Sequence, residues 1–323
     1  MRIATSVLAS LALIAPAWAA QPAAAPIRVV VAADGTGDFK TIQRAVDHAL
    51  DRAPILGPTQ RLIIEIRPGT YRERVRVPPD RPRVTFLGQD AASTVITYSM
   101  SAAAAGGTFF SAAIDVSGAE FEAANITFEN SFGVGSQAVA ISVHSDRAVF
   151  RNCRFLGWQD TLYAASGRQY YKDCTIEGHV DFIFGNSAAV FDHCEIRSRG
   201  AGYIAAVSRT TPDMPTGFVF RECKLTGENT GKGVFLGRPW RPYARVVFLD
   251  CWMGDHIRPE GWDNWGNAAN EKTAWFGERG SVGPGAEAAK RVPWARPLSA
   301  AEAASFAPEV FLRGTDAWNP ANR

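Results

Sequence analysis

The sequence predicts an all-β protein in which short strands wind into a parallel β-helix. Three observations support this prediction: a seven-residue pattern with cysteine at its fifth position occurs five times, its copies lie 21, 20, 29 and 28 residues apart, and several copies are followed within two residues by glycine. Units of about 20 to 30 residues cannot bury their own apolar face, so they stack into a solenoid. Glycine-containing turns between short strand-forming segments favour coils made of strands alone.

The repeated pattern reads Val or Tyr, aromatic, any residue, polar, Cys, any residue, apolar. A weaker relative over residues 125–128 has Ile126 in the cysteine position. The Leu and Asn ladders of leucine-rich repeats are missing, and a four-stranded propeller blade would need roughly twice this length. The five full copies are Val149–Phe155, Tyr170–Ile176, Val190–Ile196, Val219–Leu225 and Val247–Met253.

Each end of the predicted β-helix carries a helical pattern. Over residues 38–50, apolar residues recur on one helical face, which predicts a short helix that caps the open end of the stack. Near the other end, Ser299 and Glu302 form a capping-box pattern, which predicts an Ala-rich helix within a C-terminal tail of helix and loop. The apolar face of the first helix comprises Phe39, Ile42, Val46, Ala49 and Leu50.

The first residues of the chain have the features of an export signal. One positive charge precedes an apolar run over residues 7–14, and Ala17-Trp18-Ala19 follows it. This run is shorter than the roughly 20 residues that a membrane span requires. We therefore predict a signal peptide over residues 1–19, a single domain over residues 20–323, and a protein that is secreted or periplasmic.

The composition excludes several classes of protein. The chain has 323 residues, of which 46% are apolar and 11% aromatic, as in ordinary globular proteins. Its 34 basic residues nearly balance its 32 acidic ones, so no overall field would attract nucleic acid or an anionic membrane. We therefore expect neither nucleic acid nor a membrane as a partner.

The cysteines have a structural interpretation. None of the five belongs to a C-x-x-C pair or lies near a histidine at metal-ligand spacing, so we expect no metal site from them. We interpret them as small residues that point into the core and stack from coil to coil. Cys174 and Cys194, one coil apart, could form a disulfide if their geometry allows it.

Two aspartates occupy matching places in successive coils. Asp160 follows Cys153 by seven residues, and Asp181 follows Cys174 by seven residues. If the coils stack in register, the two carboxyl groups lie about 4.8 Å apart, the spacing of neighbouring strands. Two anions this close repel by several kcal/mol at an effective dielectric constant near 20, so one carboxyl group should keep its proton near neutrality. The alternative is purely structural, with one aspartate capping a turn and the other in a distant ion pair.

The residues around the two aspartates favour a catalytic site. Both aspartates lie in apolar, aromatic stretches, which is unusual for solvated loops. Gln159 and, on the preceding coil, Gln137 offer amide donors that suit an oxyanion. Farther along the chain, Arg238 and Trp240 offer a cation and a flat ring, the groups that bind uronate carboxylates and sugar faces.

Taken together, these segments resemble the pectin methylesterases, or pectinesterases, over about residues 28–310. The resemblance implies a right-handed parallel β-helix and a carboxylic ester hydrolase that releases methanol from the methyl-esterified galacturonate units of pectin. The matching motifs, in the order of the family, are Gly69 to Glu73, Gln137 to Ile141, Gly157 to Leu162, Val180 to Gly185 and Leu236 to Trp240.

The resemblance also implies a role for each matching residue. Asp181 would be the nucleophile, Asp160 the general acid and then base, and Arg238 would hold Asp181. Gln137 and Gln159 would stabilise the oxyanion. The sugar chain would contact Trp240, Tyr163 and Phe184, together with Arg238. No metal or organic cofactor is implied, and we expect the enzyme to act as a monomer on methyl-esterified polygalacturonate.

Other functions stay open at this point. A relative in a bacterial envelope could use the same chemistry on a different ester or thioester. A non-catalytic adhesin or carbohydrate-binding module would not need Asp181. A polysaccharide lyase of the same fold would often use calcium held by clustered carboxylates. A Ser-His-Asp hydrolase is disfavoured because the sequence has no Gly-x-Ser-x-Gly motif.

Overall fold

The structure is a computed structural model that describes residues 25–51, 57 and 59–322. The predicted signal peptide lies outside the described residues. The strands of the described residues are β1 (Ile27–Val31), β2 (Leu62–Ile66), β3 (Gly69–Arg72), β4 (Val75–Val77), β5 (Val84–Gly88), β6 (Thr94–Tyr98), β7 (Ile114–Val116), β8 (Glu122–Ala124), β9 (Thr127–Asn130), β10 (Ile141–Val143), β11 (Ala148–Arg151), β12 (Arg154–Leu156), β13 (Leu162–Ala164), β14 (Arg168–Lys172), β15 (Thr175–Gly185), β16 (Ala188–Asp192), β17 (Glu195–Val207), β18 (Gly217–Arg221), β19 (Lys224–Gly227), β20 (Val234–Pro239), β21 (Arg245–Leu249), β22 (Trp252–Met253), β23 (Trp275–Arg279) and β24 (Arg296–Pro297).

The strands form a parallel β-helix, as the sequence predicts. One sheet has the order β1-β2-β5-β8-β11-β14-β16-β18-β21-β23-β24, and its strands pair in parallel. The second sheet has the order β3-β6-β9-β12-β15-β13-β10-β7-β4, and β17 extends it by pairing with β15, β19 and β20. The long strands β15 and β17 each turn a corner of the β-helix, so this sheet covers two sides of it. One of these sides is called the groove face below. It is made by β4, β7, β10, β13, the C-terminal ends of β15 and β17, and β20.

The predicted repeat corresponds to one rung of the first sheet followed by a tight turn. The aromatic residue of each copy points inward, and consecutive rings stack with centroids 4.5 to 4.9 Å apart. The polar residue of each copy adopts positive φ, between 50° and 54°. Asn and Asp tolerate this left-handed conformation better than most residues, which explains the preference for polar residues there. The stacked rings, called the aromatic stack below, belong to Phe150, Tyr171, Phe191, Phe220 and Phe248.

All five cysteines are buried and carry free thiols, so the disulfide suggested between Cys174 and Cys194 is absent. Cys174 Sγ donates instead to the carbonyl oxygens of Phe150 and Lys172, and Cys194 Sγ donates to that of Tyr171. In a parallel, in-register ladder the Cα–Cβ bonds of neighbouring cysteines point the same way rather than towards each other. This arrangement favours stacked thiols over a bond between them.

A short helix packs against the first strands at the N-terminal end of the β-helix. Helix α1 (Ile42–His48) begins after the N-cap Thr41 and buries Ile42, Ala45 and Val46 in the main core. The other α-helices are α2 (Ala102–Ala105), α3 (Ala300–Ala304) and α4 (Pro308–Phe311), and 3₁₀ turns span Thr108–Phe110, Ala268–Lys272, Ala288–Lys290 and Pro320–Asn322.

The C-terminal tail confirms the predicted capping box and covers the first sheet from outside. Ser299 and Glu302 form both hydrogen bonds of the box at the start of α3. Leu312 and Trp318 then pack with the outward-facing residues Val190 and Val219. No helix in the described part of the chain reaches the length and apolarity that crossing a bilayer would need.

Candidate active site

The two aspartates lie opposite each other at one edge of the groove face. Strands β13 and β15 pair with Leu162 opposite Ile183, and this register places Asp160 opposite Asp181. The backbone N–H of Asp160 also donates to the carbonyl oxygen of Val180 at 3.1 Å. The side chains are therefore on adjacent rungs, and both line one cavity of about 330 Å³.

The local backbone is shaped to present these side chains. Asp160 and Asp181 both adopt positive φ, at 63° and 50°. The pairing of β15 with β17 is irregular between Gly178 and Ile183, so Asp181 lies at the corner between the two faces. A Cβ atom on Gly178 would lie 2.2 Å from Cβ of Phe182, so only glycine allows this close corner. Left-handed residues and bulges of this kind concentrate at functional sites.

Burial, mutual repulsion and the charge of Arg238 give the two carboxyl groups different pKa values. Asp160 and Asp181 are only 9% and 7% exposed. Burial raises the pKa of Asp160 to about 8, and the charge of Asp181 adds to the rise, while Arg238 partly opposes it. Burial also raises the pKa of Asp181, but hydrogen bonds from Arg238 and its charge oppose that rise. Asp181 therefore loses its proton at lower pH than Asp160.

Arg238 binds Asp181 in a two-point geometry. Its Nε donates to Oδ1 at 2.9 Å and its terminal nitrogen donates to Oδ2 at 2.7 Å. The guanidinium lies between two aromatic rings, 3.8 Å from the ring centre of Tyr203 and 3.7 Å from that of Trp265. A bidentate pair held between two rings has little freedom to rotate, so it fixes the orientation of the Asp181 carboxylate.

Two amide side chains complete the polar part of the cavity. Gln137 precedes β10 and Gln159 precedes Asp160, and both line the same cavity as the aspartates. The two segments are held together because the backbone N–H of Ala138 donates to the carbonyl oxygen of Gln159 at 3.1 Å. The site thus places amide donors beside one protonated and one ionised carboxyl group, an arrangement suited to acyl transfer.

The apolar side of the cavity is aromatic. Phe184 and Trp240 line the cavity, with ring centres 6.0 Å apart. Tyr163 lies one rung away and does not line it, but its ring stacks on that of Phe184 at 4.7 Å. The structure therefore brings every predicted catalytic and substrate-binding residue into one region, with Tyr163 at the edge rather than in the cavity.

Comparison with known proteins identifies the family of this chain. A family model described as pectinesterase matches residues 28–315. Pectinesterase 31 of Arabidopsis thaliana is 46% identical over 295 residues, which is 88% of this chain and 92% of the relative. The chain belongs to the pectinesterase family. The predictions of this family, of a carboxylic ester hydrolase and of pectin de-esterification are therefore confirmed.

Solved structures extend the similarity to the fold. Pectin methylesterase from carrot superposes with a TM-score of 0.83 at 37% identity and covers 89% of this chain and 93% of its own. A pectin methylesterase solved in complex with a hexasaccharide superposes with a TM-score of 0.76 at 29% identity, covering 90% of this chain and 98% of its own.

Sequence reasoning missed two aromatic residues of the candidate site. Phe109 lines the cavity and its ring lies 5.0 Å from that of Tyr163, although it is far away in sequence. Trp265 lines the cavity and packs on Arg238, whereas the earlier Trp262 is buried in the core. The available signal for Phe109 was the aromatic doublet Phe109-Phe110 shortly after Gly106-Gly107, since exposed rings in a loop often mark binding surfaces.

One side-chain group in the described part of the chain has a spacing suited to a metal ion, and it lies outside the cavity. Asp192, His193 and Glu222 offer ligand atoms within 4.8 Å of one another. Lys172 and Arg221 already pair with these carboxylates, at 3.4 Å from Asp192 and 2.8 Å from Glu222. Because cations of the protein balance the charge, we interpret this group as an ion-pair network.

Proposed function

We propose that this pectinesterase hydrolyses galacturonate methyl esters through an acyl-enzyme formed on Asp181. The observation that carries the proposal is the pairing of two buried aspartates on adjacent rungs, of which only Asp181 is held by Arg238. The ionised Asp181 suits a nucleophile, and the protonated Asp160, with a pKa of about 8, suits a general acid at neutral pH.

In the first half of the reaction, a carboxylate oxygen of Asp181 attacks the carbonyl carbon of the methyl ester. The carbonyl oxygen becomes an oxyanion, which accepts hydrogen bonds from the amide groups of Gln137 and Gln159. The bond to the methoxy group then breaks, and Asp160 transfers its proton to the departing oxygen, which releases methanol. The galacturonate acyl group is now joined to Asp181 as an anhydride.

In the second half, Asp160 is a carboxylate and acts as a general base. It accepts a proton from a water molecule, whose oxygen attacks the acyl carbon through the same oxyanion site. Cleavage of the anhydride restores the Asp181 carboxylate, which Arg238 stabilises, and frees the galacturonate. Asp160 is protonated again, so one ester and one water give one methanol and one acid, whose proton is lost to solvent.

The aromatic residues suit the substrate. Phe184 and Trp240 present flat apolar surfaces beside the aspartates, and Tyr163 extends that surface by one rung. Sugar rings pack their apolar faces on such surfaces. The 29% identical relative solved with a hexasaccharide supports an oligosaccharide as the ligand of this groove.

Methanol release from methyl-esterified polygalacturonate tests the mechanism. We expect Asp181→Asn to lower kcat by at least about 10⁴-fold, as loss of a nucleophile does in other hydrolases. Asparagine is the right substitution because it tolerates the positive φ at this position. Asp173→Asn is the matched control, since Asp173 also has positive φ, 54°, but lies in a turn outside the cavity.

Three results would overturn this proposal. Turnover by Asp181→Asn close to that of the Asp173→Asn control would exclude Asp181 as nucleophile. Activity confined to small esters or thioesters, with no methanol from pectin, would favour the alternative substrate. Accumulation of an unsaturated uronate, seen as new ultraviolet absorbance, would indicate a lyase.

We also propose that the enzyme is exported and acts as a monomer. The family match begins at residue 28, which leaves room for the predicted signal peptide over residues 1–19. The exported protein should begin at Ala20 when its N-terminus is sequenced, and light scattering should give a single-chain mass. A mature protein that retains residues 1–19, or one with twice that mass, would contradict these proposals.

A further inference from the structure

Asn130, the last residue of β9, is a buried side chain whose hydrogen bonds join distant parts of the chain. It is only 2% exposed. Its amide nitrogen donates to the carbonyl oxygens of Met100, Ser111 and Val139 at 2.9, 3.1 and 3.0 Å. Its Oδ1 accepts from the backbone N–H groups of Met100 and Phe132, both at 3.2 Å. Both ends of the amide therefore have partners, and a flipped amide would set its nitrogen against two N–H groups.

Two of these bonds close the base of a loop that lines the catalytic cavity. Met100 and Ser111 both bond to Asn130. The stretch between them, residues 101–110, is called the cavity loop below, and its Phe109 lines the catalytic cavity. A single buried side chain thus holds the start and the end of this loop together.

The two ends of the cavity loop are also bonded to the segment that carries Gln137. The backbone N–H of Ala102 donates to the carbonyl oxygen of Gln137 at 2.7 Å. The Ser111 hydroxyl accepts from the backbone N–H of Val139 at 3.1 Å and donates to the carbonyl oxygen of Thr108 at 2.6 Å. The base of the loop therefore supports the backbone on which the Gln137 side chain is mounted.

Strand register alone does not place Gln137. The pairing of β7 with β10 begins at Ile114 and Ile141, so Gln137 lies ahead of the paired residues. Gln159, by contrast, adjoins Asp160, whose backbone N–H donates to the next rung. The first of the two amide donors therefore depends on side-chain hydrogen bonds, as well as on the ladder, for its position.

We propose that Asn130 is the positioning residue for the oxyanion donor Gln137 and acts through the base of the cavity loop. This role rests on the proposed function, which assigns the Gln137 amide to the oxyanion. An amide donor contributes only at hydrogen-bond distance from the developing charge, and a displacement of about 1 Å can cost about 100-fold in rate. Asn130 does not line the cavity, so it affects the rate without touching the substrate.

Methanol release by single and double variants tests this role. We expect Asn130→Ala to lower kcat by about 10- to 100-fold, because the backbone that carries Gln137 is no longer fixed. In a Gln137→Ala background the same substitution should lower kcat by less than about 3-fold, since the donor that Asn130 positions is already missing. An equal loss with and without the Gln137 amide would overturn the proposal, because Asn130 would then act independently of that amide.

Gln169→Ala is the matched control. Gln169 is also a buried amide, and its nitrogen donates to the carbonyl oxygens of Val143 and Ser166 at 2.9 and 2.8 Å, but it does not line the cavity. Both variants should lose stability in urea, since each leaves buried carbonyl groups unpaired. The kcat of the folded fraction should fall in Asn130→Ala alone, and equal kcat values for the two variants would contradict the positioning role.

Ser111→Ala tests the same connection with a smaller perturbation. It removes the hydroxyl that accepts from Val139 and leaves Asn130 in place. We expect kcat to fall by about 3- to 10-fold, with KM changed by less than about 3-fold. If Asn130→Ala does not fold, this variant decides the question, and an unchanged kcat would overturn the proposal.

Amide hydrogen exchange separates this proposal from the reaction mechanism. In Asn130→Ala we expect the N–H groups of Ala102 and Val139 to exchange at least about 10-fold faster than in Gln169→Ala, because opening of the loop base frees both of them. Unchanged exchange would overturn the positioning role even if Gln137→Ala lowers kcat as the proposed function requires. An unchanged kcat in Gln137→Ala would instead contradict the oxyanion role, and with it the catalytic part of this proposal, even if exchange is faster.

Discussion

The aromatic stack and the aspartate pair are both made by residues repeated in register on neighbouring coils. In the stack, the ring of Tyr171 lies less than 5 Å, centre to centre, from that of Phe150 on one side and that of Phe191 on the other, and each ring is fully buried. At the site, Asp160 and Asp181 are buried to a similar degree on adjacent rungs. The same backbone repeat thus places side chains of the same type next to each other, aromatic rings in the stack and carboxyl groups at the site.

The consequences of the repetition are opposite in the two regions. Aromatic pairs gain about 0.5 to 1.5 kcal/mol beyond the burial of their surface. Two carboxylates at the same spacing repel by several kcal/mol, unless one of them keeps a proton. Apolar residues that repeat in register therefore stabilise the solenoid. Acidic residues that repeat in register at a buried place instead give one protonated and one ionised carboxyl group, which can react. The predictions below test this contrast.

The largest expected effect is on stability and concerns the stack. Phe191 contacts Tyr171 and Phe220, both at 4.7 Å, and has no exposed surface. We expect Phe191→Ala to lower the free energy of unfolding by about 3 to 5 kcal/mol, because it loses apolar burial and leaves a cavity. Urea unfolding measures this change, and kcat of the folded fraction should be nearly unchanged. A loss below about 1 kcal/mol would contradict the role given to the stack.

The next prediction is a change that lowers the catalytic rate and leaves the stability of the fold unchanged. We expect Gln159→Ala to lower kcat by about 10² to 10³-fold, as removal of one oxyanion donor does, and to leave KM within a few-fold. Its urea midpoint should stay close to that of the parent enzyme because Gln159 is only partly buried. A rise in KM with unchanged kcat would instead make Gln159 a ground-state binding residue.

A smaller effect follows from the raised pKa of Asp160 at about 8. Between about pH 4 and pH 8 the unfolded chain has lost this proton while the folded chain retains it. The free energy of unfolding should therefore fall as the pH rises, by at most about 1.4 kcal/mol per pH unit from this group. Asp160→Asn should remove that slope, so its stability advantage over the parent enzyme should be larger at pH 8 than at pH 5. An equal difference at both values would show that Asp160 is not the group responsible.

The same protonation sets the alkaline limb of activity. Asp160, the proposed general acid, loses its proton above about pH 8, so kcat/KM should decline there with an apparent pKa of about 8. Initial rates of methanol release between pH 5 and pH 10 measure this profile. Constant activity up to pH 10 would contradict the proposed role of Asp160.

The smallest expected effect concerns the cysteines, which form a third repeated ladder. Because Cys174 and Cys194 are free and buried, a reducing agent should leave the midpoint of thermal unfolding unchanged. A lower midpoint in the presence of dithiothreitol would show that a disulfide forms in the exported enzyme.

The sequence by itself determined the repeat and hence the fold. The cysteine-containing pattern predicted the register of the rungs, because coils of this length bury their apolar residues by stacking on their neighbours. The equal offset of Asp160 and Asp181 from their cysteines then predicted two carboxyl groups on adjacent rungs. Helix α1 and the capping box at Ser299 were also predictable from the sequence, because capping and apolar periodicity depend on residues close together in the chain.

Only the tertiary structure decided which distant residues join the site. Phe109 and Trp265 reach the cavity from connections outside the regular repeat, whose paths depend on packing rather than on local preference. The orientation of neighbouring cysteines likewise follows from the finished ladder and not from their spacing in sequence. The register of the strands repeats along the chain, so a short sequence pattern is enough to predict it. The path of the long loops over the groove depends on contacts between residues far apart in the chain.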